Sequence, residues 1–275
     1  MLGRAVRWAR EHVVVFAAAA AVAYMFLPIV VVAVLSFNQP SSRFNYTWSE
    51  FTWDNWANPC AVPAVCESVF TSIQIAALAT IVSTVLGTLI ALALVRYRFR
   101  GRSSTNVLIF MPMATPEVVM GASLLALFVN MSLPLGFTTI LVAHIMFCIS
   151  FVVVTVKARI ATLDPAIEQA AMDLYATPAQ TFARVTLPLI TPGIVAAAML
   201  AFALSFDDFI ITNFAAGTGQ TVTFPMYVWG AAQRGLPPQV NVIGTLMFLV
   251  ALVVVLAPRF LRRRGSLVGA VPVAR

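Results

Sequence analysis

The stretch Asp164-Pro165-Ala166-Ile167-Glu168-Gln169-Ala170-Ala171-Met172-Asp173-Leu174-Tyr175-Ala176-Thr177-Pro178-Ala179-Gln180-Thr181-Phe182-Ala183-Arg184-Val185-Thr186-Leu187-Pro188 is the longest polar-tolerant segment between two long apolar runs. Asp164 followed by Pro165 has the form of an N-cap with proline at the first helical position. Ala166 to Leu174 has good helix propensity, and Glu168 falls in the first turn, at the positive end of the helix dipole. Pro178 disfavours continuation. The stretch predicts a short helix, a turn and a second short helix on a connecting loop outside the bilayer. Any amphipathic connector shares these features, so its surroundings decide.

Those surroundings are apolar. Of 275 residues, 61% are hydrophobic and 10% charged, against about 25% charged in ordinary soluble domains. Mean hydropathy is +0.93. The composition is that of an integral membrane protein. A net charge of +7 would suit nucleic acid, but the arginines cluster beside apolar runs, which is a topology signal and excludes a nucleic-acid partner.

Six spans are expected, at about 13–36, 69–95, 105–129, 137–156, 192–214 and 240–257, each near the roughly 20 residues a crossing takes. The chain is thus an all-α membrane protein, with 1–275 as one transmembrane domain and 157–191 as its connecting loop. Ala21-Val22-Ala23 has the form of a signal cleavage site, but the first apolar run continues to Leu35, longer than a signal core of about 7–15 residues. An uncleaved first span is expected. With both termini cytoplasmic, fifteen of seventeen Lys and Arg lie inside and only Arg43 and Arg234 outside. The positive-inside rule therefore puts the loop in the cytoplasm of a plasma or inner membrane.

Between the first two spans, Phe37 to Glu67 is polar and aromatic, with Phe44, Tyr46, Trp48, Phe51, Trp53 and Trp56, residue types that anchor at a membrane surface. Cys60 and Cys66 are either bridged or two free thiols, and neither has a neighbour suited to a metal. His144, alone in a span, reads as a hydrogen-bonded packing residue. A short helix is expected near Met226 to Gln233.

Carboxylates within a span are costly and mark pathways. Glu117, Asp207 and Asp208 are such residues. On straight helices, Glu117 would lie about 18 Å into span three and Asp207 about 22 Å into span five, at similar depth. No Lys or Arg lies in any span to pair with them, which suits a polycation. Neighbours on a helix point about 100° apart, so one of Asp207 and Asp208 is expected to face a path and the other to hydrogen-bond nearby backbone. Snorkelling or protonated packing is the alternative for all three.

The loop resembles that of ABC-importer permeases, where Glu-Ala-Ala is followed by Gly and then by Ile-x-Leu-Pro. Gln169-Ala170-Ala171 takes the first position, Tyr175 the glycine position, and Val185-Thr186-Leu187-Pro188 closes the motif. Gln169 and Tyr175 depart from the pattern. The glutamine removes a charge, and the tyrosine removes a residue at ease with positive φ, so the turn is expected to differ in shape. Ser41-Ser42-Arg43-Phe44, Arg96 to Gly101, Pro116 to Met120, Phe151 to Val156 and Ser205-Phe206-Asp207-Asp208 are similar to stretches of the spermidine/putrescine branch of these permeases.

The resemblance covers most of the chain from Phe37. It implies a second related permease, two ATPase subunits, an extracytoplasmic substrate-binding protein and a lipid environment. It also implies a coupling helix that docks on the ATPase, with Glu168, Gln169, Ala170, Ala171, Asp173, Tyr175, Leu187 and Pro188 as coupling residues. Glu117, Asp207, Asp208 and Trp48 are placed on the substrate path. No Gly-x-x-x-x-Gly-Lys-Ser/Thr occurs, so the chain is expected to hold no cofactor, ATP and Mg being bound by the partner ATPase. The same architecture could carry ferric iron or a sugar; the acids disfavour an anion. An intramembrane hydrolase would require His144 beside a serine and an acid, and a prenyl-transfer enzyme a second Asp-rich cluster.

Overall fold

The computed structural model describes residues 2–218 and 221–265, and is helical apart from one pair of two-residue strands. Gly219 and Gln220 of the outer segment lie outside the described residues. So do the side chains of Arg4, Arg7, Arg10, Arg259, Arg262, Arg263 and Arg264, whose topology signal rests on sequence alone. The chain divides into two compact units, Met1–Cys66 with Val228–Arg275, and Glu67–Tyr227.

In the first unit, α1 (Leu2–Leu35) packs against α12 (Pro238–Gly265). Phe26 meets Phe248 edge to face, and Gly244 leaves room beside Val32. Beyond α1, β1 (Asn38–Gln39) pairs antiparallel with β2 (Glu50–Phe51), and α2 (Asp54–Ala57) follows. Buried asparagines hold this segment, because buried backbone must find partners. Asn38 Nδ2 donates to Asn45 Oδ1 at 2.6 Å and to the Thr47 carbonyl at 2.8 Å. Asn45 donates to the Leu35 carbonyl, and Asn55 to those of Ser36 and Asn38. Phe37 packs on Phe51, Trp53 and Trp56 over this network. Cys60 and Cys66 are bridged.

The second unit is built on α6 (Phe137–Ala161), which packs along α9 (Leu187–Asp207) and also against α4 (Arg102–Ala114). Its buried side chains include Ile140, Phe147, Val152, Val153 and Val156, against Ala197 and Ala201 of α9. Small residues on one side let a second helix come close in lipid. Gly193 shows this directly: a β-carbon there would lie 2.5 Å from the Arg159 side chain, whose guanidinium donates to the Leu189 carbonyl. The unit also contains most of α3 (Pro63–Arg96), together with α5 (Glu117–Asn130) and α10 (Ile210–Ala215). The helix expected near Met226 is α11 (Phe224–Arg234), whose start lies in this unit.

Among the described residues, four helices are long and apolar enough to cross a membrane: His12–Leu35, Pro63–Arg96, Phe137–Ala161 and Pro178–Asp207. The third expected span is not a straight helix. It is α4 and α5, bent by 109°. Proline deprives the chain of an amide and disfavours the helical conformation in the residue before it. Thr115 is accordingly extended at φ −84°, ψ 131°, and Glu117 opens α5 rather than lying within a helix. The fifth span also breaks: α9 ends at Asp207, Asp208 is extended at ψ 124°, and α10 follows. The depth estimates for Glu117 and Asp207, and the 100° relation between Asp207 and Asp208, assumed unbroken helices and do not describe these positions. The described apolar part of α12, Pro238–Val254, is shorter than the four spans.

Candidate functional site

The loop forms from local signals. In α7 (Pro165–Asp173), Asp164 Oδ1 accepts from the Ala166 amide at 2.9 Å, the expected cap. The helix ends in a Schellman turn, in which the Tyr175 amide donates to the Met172 carbonyl and the Ala176 amide to the Ala171 carbonyl. The left-handed residue in such a turn is usually glycine. Here it is Tyr175, at φ +63° and 96% exposed. The shape expected to be lost with glycine is therefore kept, against a steric cost of order 1 kcal/mol.

Thr177 then caps α8 (Pro178–Thr181), with its hydroxyl accepting from the Gln180 amide and the Gln180 side chain accepting from the Thr177 amide. This capping box was legible as Thr-x-x-Gln and went unread. A π turn, Phe182–Thr186, leads into α9.

The expected coupling residues divide by face. Gln169, Ala170, Asp173, Tyr175, Leu187 and Pro188 are exposed, and Ala171 is half-buried. Glu168 points inward. Its Oε1 accepts from Arg96 at the end of α3 and from the Thr186 hydroxyl, the latter at 2.6 Å. Arg96 also donates to Thr186 Oγ1 at 3.3 Å. Sequence reading missed Arg96, whose pairing links residues far apart in the chain.

The three acids differ. Asp208 is buried in a polar knot that ties α6 to the α9–α10 break. Its Oδ2 accepts from the Thr212 amide at 2.7 Å and the Thr212 hydroxyl at 2.8 Å, and lies 3.3 Å from His144 Nε2. Its Oδ1 accepts from the Ile211 amide. His144, 1% exposed, lies 2.7 Å from Ser205 Oγ through Nδ1 and 2.9 Å from Thr212 Oγ1 through Nε2. Both ring nitrogens are therefore occupied, as a packing histidine requires.

A serine, a histidine and an aspartate do meet here, as the hydrolase alternative required. Ser205 is only 4% exposed, so a substrate carbonyl has no approach to it. Glu117 and Asp207 are exposed, with no ion-pair partner among the described residues. Glu117 heads α5, which packs on α10; Phe214 of α10 fills the space that Gly121 leaves. Trp48, in the other unit, is half-exposed. Among the described residues no group of His, Cys, Asp and Glu is arranged to hold a metal ion.

Comparison with known proteins gives this geometry a context. Residues 83–264 match the family described as binding-protein-dependent transport system inner membrane component. The spermidine/putrescine transport system permease protein PotC of Haemophilus influenzae is 32% identical over 244 residues, covering 89% of this chain and 94% of that protein. The PotC of Escherichia coli K12 is 35% identical over 88% of this chain and 90% of its own length. The putrescine transport system permease protein PotI of the same organism is 37% identical over 82% and 81%.

Among solved structures, a chain of a bacterial ABC transporter that imports the acidic polysaccharide alginate superposes with a TM-score of 0.64 at 15% identity, over 93% of this chain and 97% of that one. A chain of the MetNI methionine ABC transporter gives 0.58 at 16% identity, over 74% and 98%. At these identities the solved structures establish the fold alone. By sequence and fold together, the chain belongs to the binding-protein-dependent transport system inner membrane components, the membrane permease subunits of ABC transporters.

Proposed function

We propose that this chain forms half of the translocation path of an ATP-driven polyamine importer. Its proposed partners are a second related permease, two ATPase subunits that bind ATP and Mg, and an extracytoplasmic substrate-binding protein. In this reading the chain crosses the inner membrane six times with both termini cytoplasmic, and α7 docks on an ATPase through the face that carries Gln169, Ala170 and Asp173.

The observation that carries the substrate class is the contrast among the acids. Asp208 is consumed by its own helix break, whereas Asp207 and Glu117 stand exposed at helix ends with no ion-pair partner among the described residues. A polyamine brings separated ammonium groups that must shed water in a narrow passage. Desolvating each costs several kcal/mol, and a fixed carboxylate offsets part of that cost. The names of the PotC and PotI relatives support the same substrate class. Trp48 is proposed to contribute an aromatic surface for the cation at the path's entrance.

The test is uptake by the reconstituted complex, with spermidine, putrescine and ferric iron as rivals. Wild type is expected to favour a polyamine. The Asp207→Asn, Glu117→Gln double variant keeps size and hydrogen bonding but loses both charges. It is expected to take up polyamine at least about tenfold more slowly per assembled complex, with basal ATPase activity retained. Equal rates for the two proteins would make these acids packing residues and withdraw the electrostatic argument.

A further inference from the structure

Among the coupling residues, Glu168 is the one whose side chain bonds inward, to Arg96 and Thr186. α7 has no fully buried residue of its own, and Glu168 makes the side-chain bonds that tie its inner side to α3 and to the start of α9. One carboxylate oxygen receives the Arg96 guanidinium from the last residue of α3. The same oxygen receives the hydroxyl of Thr186, which is 0% exposed and is the residue from which α9 starts. Three elements therefore converge on one atom. The π turn that ends at Thr186 is a form of backbone often retained where function demands it.

We propose that Glu168, Arg96 and Thr186 form a strut through which displacement of α7 is transmitted to the adjoining ends of α3 and α9. The proposal rests on the reading that α7 docks on the ATPase, and it assigns positioning roles rather than contacts with that partner. Charge-assisted hydrogen bonds are short and directional, so a carboxylate shared by two donors passes on a push more faithfully than an apolar contact. If α7 moves while the bonds hold, α3 and α9 must follow. If the bonds are removed, α7 can move alone, and nucleotide hydrolysis proceeds without transport.

The test uses the complete complex in liposomes, with its binding protein and saturating spermidine, and reads spermidine transported per ATP hydrolysed. Glu168→Gln and Arg96→Gln are each expected to lower this ratio about fivefold or more, within the range of site-to-site coupling in proteins. The double variant is expected to be no worse than the more severe single one, because both remove the same interaction. Thr186→Ser, which keeps the hydroxyl, is expected to preserve the ratio, and the isosteric Thr186→Val to lower it.

Docking is followed separately by Ala170→Cys crosslinking to the ATPase. The native cysteines do not compete, since Cys60 and Cys66 are bridged and Cys148 is buried. Crosslinking is expected to persist in the strut variants. Wild-type ratios in both single variants, additive losses in the double, or loss of the crosslink together with the ratio would each overturn the strut. Failure of Ala170→Cys to crosslink in the otherwise native complex would instead remove the docking reading, and the strut with it.

Discussion

The α9–α10 break and the α7–α8 loop are both places where a helix stops and another starts, yet they are held in opposite ways. In the loop, each terminus is satisfied by a residue two to five positions away: Asp164 for Ala166, Thr177 and Gln180 for one another, the Ala171 carbonyl for Ala176. At the break, Asp208 caps locally but is itself fixed by His144, which comes from another helix and also bonds Ser205 and Thr212, 61 and 68 residues along the chain. Local caps act one at a time. A buried knot acts as a unit, because every member that leaves strands the polar groups of the rest.

The largest effect is therefore expected at the knot. Asp208→Ala leaves the Ile211 and Thr212 amides without their acceptor and takes the carboxylate from beside His144, at a cost of about 3 kcal/mol, visible as a lowered melting temperature of the assembled complex. Asp208→Asn retains one acceptor oxygen and should lose less. A loss below that of an ordinary surface substitution would mean that the break is held elsewhere.

Next comes the test of unity. His144→Ala is expected to cost about 2 kcal/mol, and the His144→Ala, Asp208→Ala pair clearly less than the sum of the two. The same melting measurement decides, and additive losses would erase the distinction drawn between knot and loop. In the loop, Thr177→Ala should cost about 1 kcal/mol, read as roughly fivefold faster amide exchange in α8, and should add to Asp164→Ala without coupling.

The smallest effect is expected at Tyr175. Glycine adopts φ +63° without strain, so Tyr175→Gly should slow exchange at the end of α7, by an amount corresponding to about 1 kcal/mol or less. A β-branched residue there, Tyr175→Ile, should do the reverse.

The same contrast explains what could be read from the chain before its structure. α7, its cap and the second short helix were legible because their determinants are neighbours in sequence. The bend at Thr115–Pro116 is local too, but the sequence reading takes 105–129 as a single straight span. The pre-proline restriction on Thr115 and the lost amide at Pro116 are sufficient reason for two helices. The break at Asp208 carries no proline or glycine; Asp208 caps α10 locally and is held by His144, a pairing that no periodicity announces. Glu168 was read as a docking residue because it stands beside Gln169-Ala170-Ala171. Its direction is set by Arg96, 72 positions earlier, and by Thr186. Tyr175 was read as a change of shape, whereas the Schellman bonds on either side of it impose glycine's conformation on a tyrosine.

The Cys60–Cys66 bridge has a consequence for biogenesis. Thiols pair stably in an oxidising compartment and stay reduced in the cytosol. In the proposed topology the 37–66 segment faces away from the cytosol, so the ring between α2 and α3 is expected to record translocation: it would close on chains whose segment has crossed and stay open on chains whose segment has not. Trapping newly made chains with a thiol-alkylating reagent, without reductant, would sort inserted from stalled molecules by the modification of two cysteines, and so follow membrane insertion with the protein's own residues as the reporter.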